Sequence, residues 1–367
     1  MNVIEKEIIK SIYQYRSITI DQIKTYLGGS EEVVEQLISS GYIIENRHEE
    51  LIYYFLTAKG VHKAKELFRL KEQRGKGESR GYVTASKLSF KSRAAHHQLG
   101  VAEFMFQFHQ RFPNLPSDVF EFLDGGVLRE DIKKHASPDG WLKIGDVEIF
   151  LEIDRGTERE PAIRKKVNNY VRFNGSDCYQ NKNRKIIILF CYLDKPTKRR
   201  KEMIMNCVVN GINVNLNDNF DFILGDMDRC LAFLEEEVIS LLNPASLRQS
   251  HQQFMSHFPD AFELCSEFKQ YNTDYRNKIA LDETRRYYYF IDLTTQRASR
   301  LATLDLLEQR ISSVLFDDET PFVIYSNQQE QLEELKQSHP NITNHHYAIF
   351  LHTSQLKDFQ ENPLSFY

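Results

Sequence analysis

No apolar run in this 367-residue chain is long enough to cross a bilayer, so the sequence offers no helical membrane span and no membrane partner is expected. The opening residues, Met1-Asn2-Val3-Ile4-Glu5-Lys6-Glu7, lack the charged-then-apolar order of a signal peptide. Cysteine is sparse: Cys178, Cys191, Cys207, Cys230 and Cys265 are scattered, with no CxxC pair. That argues against a zinc site or a disulfide framework and fits a reducing cytoplasm, the expected location. A positive balance is missing too, since the net charge of -5 gives no global reason to expect nucleic acid. What is present is ordinary for a globular protein, with 41% hydrophobic and 27% charged residues. The length allows two or three domains, each with a core of its own.

Charge is spread unevenly. From Lys63 to Arg93 there are ten Lys or Arg against three Glu, whereas the C-terminal third carries Glu235-Glu236-Glu237 and Asp317-Asp318-Glu319. Ahead of the basic stretch, Ile4, Ile8, Ile9 and Ile12 recur at helical spacing. Ser17-Ile18-Thr19-Ile20-Asp21 offers caps for a second helix that ends at Leu27-Gly28-Gly29, and Ser30-Glu31-Glu32 starts a third. Tyr42-Ile43-Ile44 and Leu51-Ile52-Tyr53-Tyr54-Phe55 read as a two-stranded wing, and a further helix follows Leu56-Thr57-Ala58-Lys59-Gly60. The expectation is a winged helix-turn-helix over 1–70, and its Leu-Thr-x-x-Gly turn is similar to that of many bacterial winged-helix regulators. The third helix usually enters the major groove, but here it carries Glu31, Glu32 and Glu35, which repel phosphate. DNA contact is therefore expected from Arg47 and His48 on the wing and from Lys76, Arg80, Lys87, Lys91 and Arg93 in a basic linker over 71–93. A winged helix used for dimerisation or protein docking is the alternative.

Past the linker comes a strong amphipathic helix from His96-His97 to about Phe112, then a strand at Val119–Leu123. Ala136-Ser137-Pro138-Asp139-Gly140-Trp141-Leu142 and Val147–Asp154 follow, then a helix with Ile163, Val167, Tyr170 and Val171 on one face, and a buried strand at Lys185–Leu193. The order helix, strand, strand, strand, helix, strand over 94–225 resembles the core of PD-(D/E)xK nucleases, at Pro138-Asp139 followed by Glu152. A hairpin puts Asp139 and Glu152 side by side, and two convergent carboxylates suit Mg²⁺ or Mn²⁺, which would polarise a phosphate and activate water. Glu103, on the preceding helix, could add a third metal-binding carboxylate. The usual Glu-x-Lys is replaced by Glu152-Ile153-Asp154, with Asp154 on the same strand face as Glu152. Lys165 or Lys166 on the next helix could return the missing cation, so Asp139, Glu152, Asp154, Lys165 and Lys166 are the candidate catalytic set. His96 and His97 point about 100° apart and cannot both face one site; one reads as a helix-start or core histidine, the other could meet phosphate or the carboxylate cluster, and Arg155 could bind the DNA backbone.

The combined pattern resembles the replication-relaxation family of plasmids and other mobile elements in Gram-positive bacteria. It consists of His96-His97, Ser137-Pro138-Asp139-Gly140, Phe150-Leu151-Glu152-Ile153-Asp154-Arg155-Gly156-Thr157-Glu158, and Lys165 to Tyr170, within roughly residues 5–195. The resemblance implies a role in plasmid replication and DNA relaxation, with DNA and replication or conjugation proteins as partners, and it makes Glu-x-Asp-Arg-Gly-Thr the family's own form. Three functions stay open: a metal-dependent endonuclease, a silent nuclease fold that binds an origin or operator, and a protein-recruiting scaffold. Residues 226–367 read as helices around 226–243 and 247–270, then strands at 286–292, 321–325 and 347–351 with helices around 301–315 and 327–338. They suggest a small α/β accessory region, and dimerisation is plausible. The expected class is α/β (α+β): a winged helix, a restriction-endonuclease-like mixed sheet flanked by helices, and that accessory region.

Overall fold

In the computed structural model, α1 (Val3–Tyr15) starts with a reciprocal cap. The Asn2 side chain accepts the Glu5 N–H at 2.8 Å, and Glu5 accepts the Asn2 N–H at 2.8 Å. Strand β1 (Ile18–Thr19) runs into α2 (Ile20–Leu27), capped in the same way by Thr19 and Gln22 and closed by Gly28 in the left-handed region at φ 65°. Next come α3 (Glu31–Ser39), the hairpin β2 (Ile43–His48) and β3 (Leu51–Leu56), and α4 (Ala58–Leu67). β3 is the middle of a three-stranded sheet, paired antiparallel with β1 and β2. The Leu-Thr-x-x-Gly turn has a physical reason here. Thr57 donates its hydroxyl to the Gly41 carbonyl at 2.6 Å and accepts the Gly60 N–H at 3.0 Å. A Cβ at Gly60 would overlap the Tyr42 carbonyl oxygen, so only glycine fits.

The structure describes residues 1–68, 84–115, 119–128, 132, 134–174, 185–212, 220–235, 238, 278–280, 287–293, 304, 308, 322–344, 348–355 and 358. Two compact units emerge: residues 1–207 with 225–231, and residues 208–224 with 232–367. The linker expected over 71–93 is corrected in its last part. Residues 84–93 contain α5 (Ala85–Leu88), capped by Thr84 and with Leu88 buried, and the start of a 3-10 turn at Ser92–Ala94. Leu88 and Phe90 supply apolar anchors within the basic run, and Phe90 packs on Tyr53 and Phe55. Lys76 and Arg80 lie outside the described residues.

Helix α6 (Ala95–Arg111) then packs along a five-stranded sheet. The strands are β4 (Phe120–Asp124), β5 (Gly140–Ile144), β6 (Val147–Asp154), β7 (Lys185–Tyr192) and β8 (Phe220–Asp226), in spatial order β4-β5-β6-β7-β8. β4, β5 and β6 form an antiparallel meander, while β6 and β7 are parallel and joined through α7 (Glu160–Asn174). α8 (Lys198–Ile212) follows β7, and α9 (Met227–Leu234) follows β8. All of β6 is buried, including Glu148, Glu152 and Asp154. Buried acids need partners, and those of Glu152 help build the site.

In the second unit β9 (Lys278–Ala280), β10 (Tyr287–Asp292), β11 (Phe322–Ser326) and β12 (Ala348–His352) form a sheet ordered β12-β11-β10-β9, with β10, β11 and β12 parallel. Helices α10 (Gln329–Ser338) and α11 (Pro340–Thr343) lie between β11 and β12 in sequence. Leu293, Leu304, Ile324, Leu332, Leu335 and Ile342 make its core. The Glu308 carboxylate caps α11, accepting the N–H groups of Asn341 and Ile342 at 2.8 Å each. The helices expected around 247–270 and most of 301–315 fall outside the described residues.

Candidate active site

The turn into β5 and the end of β6 bring two carboxylates together. Asp139 precedes β5, and its N–H is tied to the Leu151 carbonyl of β6 at 2.9 Å. Its Oδ2 accepts the Ile153 N–H at 2.8 Å, which clamps the carboxylate beside the strand segment that carries Glu152. On the same oxygen, His97 Nε2 closes an ion pair at 2.6 Å from α6. Burial opposes the charged imidazole, but the hydrogen bond and charge of Asp139 outweigh it, and His97 titrates above its ordinary value. Burial also opposes an ionised Asp139, yet His97, Lys166 and the Ile153 N–H together hold its carboxyl below the usual range.

Glu152 is 2% exposed and meets α7 with both oxygens. Lys166 Nζ lies 2.9 Å from Oε2, and the Tyr170 hydroxyl donates to Oε1. Lys166 also pairs with Glu158 at 3.0 Å. Burial, with the nearby charge of Asp139, pushes the Glu152 carboxyl up to about 7 despite the opposing charge of Lys166. Lys166 itself is held above its ordinary value by Glu152, Asp139 and Glu158, which outweigh its burial, and stays charged. Two acids and a lysine therefore form one electrostatically linked cluster, with Glu152 buried and Asp139 and Lys166 half-buried. Of the two lysines the sequence offers, Lys166 is at this centre and Lys165 is exposed away from it.

Asp154 and Glu103 face elsewhere. Asp154 is taken by Arg200 of α8, which donates its Nε at 2.9 Å and a second nitrogen to the other oxygen, and by the Gly156 N–H at 3.2 Å. Glu103 does not join the metal-binding candidates. It turns to α2, where it accepts Gln22 Nε2 at 3.0 Å and the Tyr26 hydroxyl, and it also takes Gln107 Nε2 at 2.9 Å. The reason is helical phase: six residues after His97, it lies on another face of α6. Among the described residues no group of three His, Cys, Asp or Glu is arranged to hold a metal ion. An Asp-Glu pair is nevertheless a fitting donor set for Mg²⁺, which keeps several waters and is bound by one or two carboxylates plus substrate phosphates.

Residues 9–189 match the replication-relaxation family model. The chain belongs to the replication-relaxation family. No curated protein and no solved structure gives a match. Family membership ties the chain to replication-related work, and the matched span covers the whole Asp139, Glu152 and Lys166 centre.

The remaining candidates of this family member are dispersed. Arg47 is exposed on β2 and pairs with Glu45 at 2.9 Å. His48 stands near His96, with ring centroids 6.2 Å apart, and His96 Nε2 lies 3.5 Å from Glu49. Lys87 and Lys91 are exposed, and Arg93 lies in the turn at Ser92–Ala94. Arg155 follows β6 in a turn that passes through Gly156 at φ 73°, a backbone state glycine adopts freely. Tyr170, Glu158 and Arg200 were not singled out as site residues from the sequence. Tyr170 reads there as one apolar member of a helical stripe, and Arg200 is 46 residues from Asp154 with no motif linking them.

Proposed function

We propose that this replication-relaxation protein is a divalent-metal-dependent DNA endonuclease, with Asp139, Glu152 and Lys166 as its centre and the N-terminal module acting as a winged helix that holds DNA. The observation that carries the reading is Lys166 Nζ at 2.9 Å from Glu152, since it returns to the two acids the lysine that Asp154 displaces from β6. Asp139 and Glu152 would hold Mg²⁺ or Mn²⁺. When bound, the ion supplies Lewis-acid polarisation of the phosphate and a more acidic water. The protein's own groups do the rest. His97 keeps Asp139 ionised and oriented, Tyr170 fixes Glu152, and Lys166 places a positive charge where negative charge grows in phosphodiester cleavage. DNA would be gripped by the β2–β3 hairpin rather than by α3, whose Glu31, Glu32 and Glu35 are exposed.

The test is nicking of supercoiled plasmid that carries the element's own origin, with Mn²⁺ or Mg²⁺ and with EDTA. Metal-dependent nicking is expected, falling roughly 100-fold or more in Asp139→Asn and Lys166→Met and little in Lys165→Ala. Wild-type protein that binds this DNA without nicking it would sink the endonuclease. It would favour the second reading, a silent nuclease fold acting as an origin or operator binder, which draws support from Glu152 already having a donor on each oxygen.

A further inference from the structure

Beside the carboxylate centre lies a groove of about 670 Å³, formed by the turn after β6 and the start of α8. Its frame is the Asp154–Arg200 pair. Arg200 is only 10% exposed at its side chain, grips Asp154 and donates to the Glu158 carbonyl, while the Glu158 carboxylate takes Lys166. The groove is thus one residue removed from the Glu152–Lys166 pair. Arg155, Arg159, Lys195 and Arg199 line it, and among the described residues none of the four has an acidic partner. Of the acids on its walls, Asp154 is consumed by Arg200 and Glu160 pairs with Arg164, which leaves Asp194 and Glu202 against the four cations.

Unpaired guanidinium groups are planar forks matched to phosphate oxygens. A fold that saturates Asp154 with a dedicated arginine and leaves three others open is not using those three for its own stability. The geometry points to this groove as a docking surface for the phosphate backbone of duplex DNA, contacted by Arg155, Arg159, Lys195 and Arg199 and framed by the buried Asp154–Arg200 pair. It rests on the endonuclease reading for its partner, and it would hold the strand next to the centre without reading bases. It also gives Asp154, the acid of Glu-x-Asp-Arg-Gly-Thr, a use: its ion pair and its bond to Gly156 set the turn that presents Arg155.

Fluorescence anisotropy of a labelled 20-base-pair duplex in EDTA, across a salt series, separates this surface from cleavage. Arg155→Ala/Arg199→Ala changes two exposed or half-exposed side chains, so thermal melting should match wild type. Its affinity at 0.1 M salt should drop roughly tenfold, and the slope of log K against log salt should fall by about two, close to 0.9 for each phosphate no longer neutralised. Unchanged affinity and slope, or no duplex binding by wild type, would overturn the proposal. So would polyglutamate displacing wild type as well as unlabelled duplex does at matched charge, because that marks a general site for acidic polymers. If the double variant binds normally while Asp139→Asn abolishes nicking, the groove falls and the endonuclease stands. If the double variant binds weakly and wild type does not nick, the groove stands and the endonuclease falls.

Discussion

Glu152 is held between two opposing demands. Its burial favours the neutral acid, and Lys166 and Tyr170 favour the carboxylate, with the balance near 7. A carboxyl with a folded pKa above its unfolded value keeps its proton longer in the folded state. Stability in EDTA should therefore fall as pH rises from about 4.5 to about 7, then level off as far as this group is concerned. His97 is also raised, by the hydrogen bond and charge of Asp139 against its burial, so its own contribution is complete below its ordinary value and is lost as pH climbs through the higher folded one. Comparing wild type with Glu152→Gln by urea unfolding isolates the glutamate. The difference should change by on the order of 3 kcal/mol across that window, at about 1.36 kcal/mol per pKa unit, and a pH-independent difference would refute the assignment. At this scale the sequence was legible for Asp139 and Glu152, because Pro-Asp and a hairpin spacing are local signals. It named Lys166 only as one of two, since the choice depends on which side of α7 faces β6. It misjudged Glu103 because a carboxylate on an amphipathic helix carries no mark of which neighbour it faces.

Among the elements, the N-terminal helices and hairpin were readable from caps and apolar spacing, whose causes lie within a few residues. The glycines show how much closer the packing is than periodicity reveals. Gly60 sits against a backbone carbonyl that cannot move aside, while a Cβ at Gly28 meets nothing within 4 Å and suffers only from its φ of 65°. Gly28→Ala should cost about 1 kcal/mol, and Gly60→Ala about 3 kcal/mol or more from overpacking, as read from urea midpoints. Equal costs would mean the Tyr42 contact does not matter. Two elements escaped the sequence reading. Residues 84–93 looked like tether because their charge hides the anchors Leu88 and Phe90, and Phe220–Asp226, short and closed by Gly225-Asp226, was not assigned as a strand although it completes the sheet as β8.

On the scale of the whole first unit, the largest departure is that the N-terminal module is not hung on a string. Arg16, at the end of α1, donates to the carbonyls of Leu88 and Ser89 at 3.0 and 2.9 Å and to Gln98 and Asp124 at 3.2 Å each, and it stacks over Phe90. Tyr15 packs edge-on against Phe106 and Phe122, and Tyr26 stacks on Phe106. Asp124 is buried, and burial raises its pKa against the pull of Arg16. Removing one partner of a buried pair strands the other charge, so Arg16→Met should lower stability by roughly 3–5 kcal/mol, and Arg16→Met/Asp124→Asn should recover part of it. Calorimetry should show the module and the sheet of this unit melting together in each protein. A separate early transition for residues 1–68 would show the two to be independent. None of this was visible in sequence, because Arg16 and Asp124 are 108 residues apart.

The Arg16 lock has a consequence for where such an enzyme could cut. On the endonuclease reading, a module fixed to the sheet that carries Glu152 would act as a ruler: the break would fall a constant number of base pairs from the DNA segment that the module holds. Lengthening that spacer by half a helical turn, about five base pairs, would carry the original bond to the far side of the duplex, and the protein would cut whatever bond took its place.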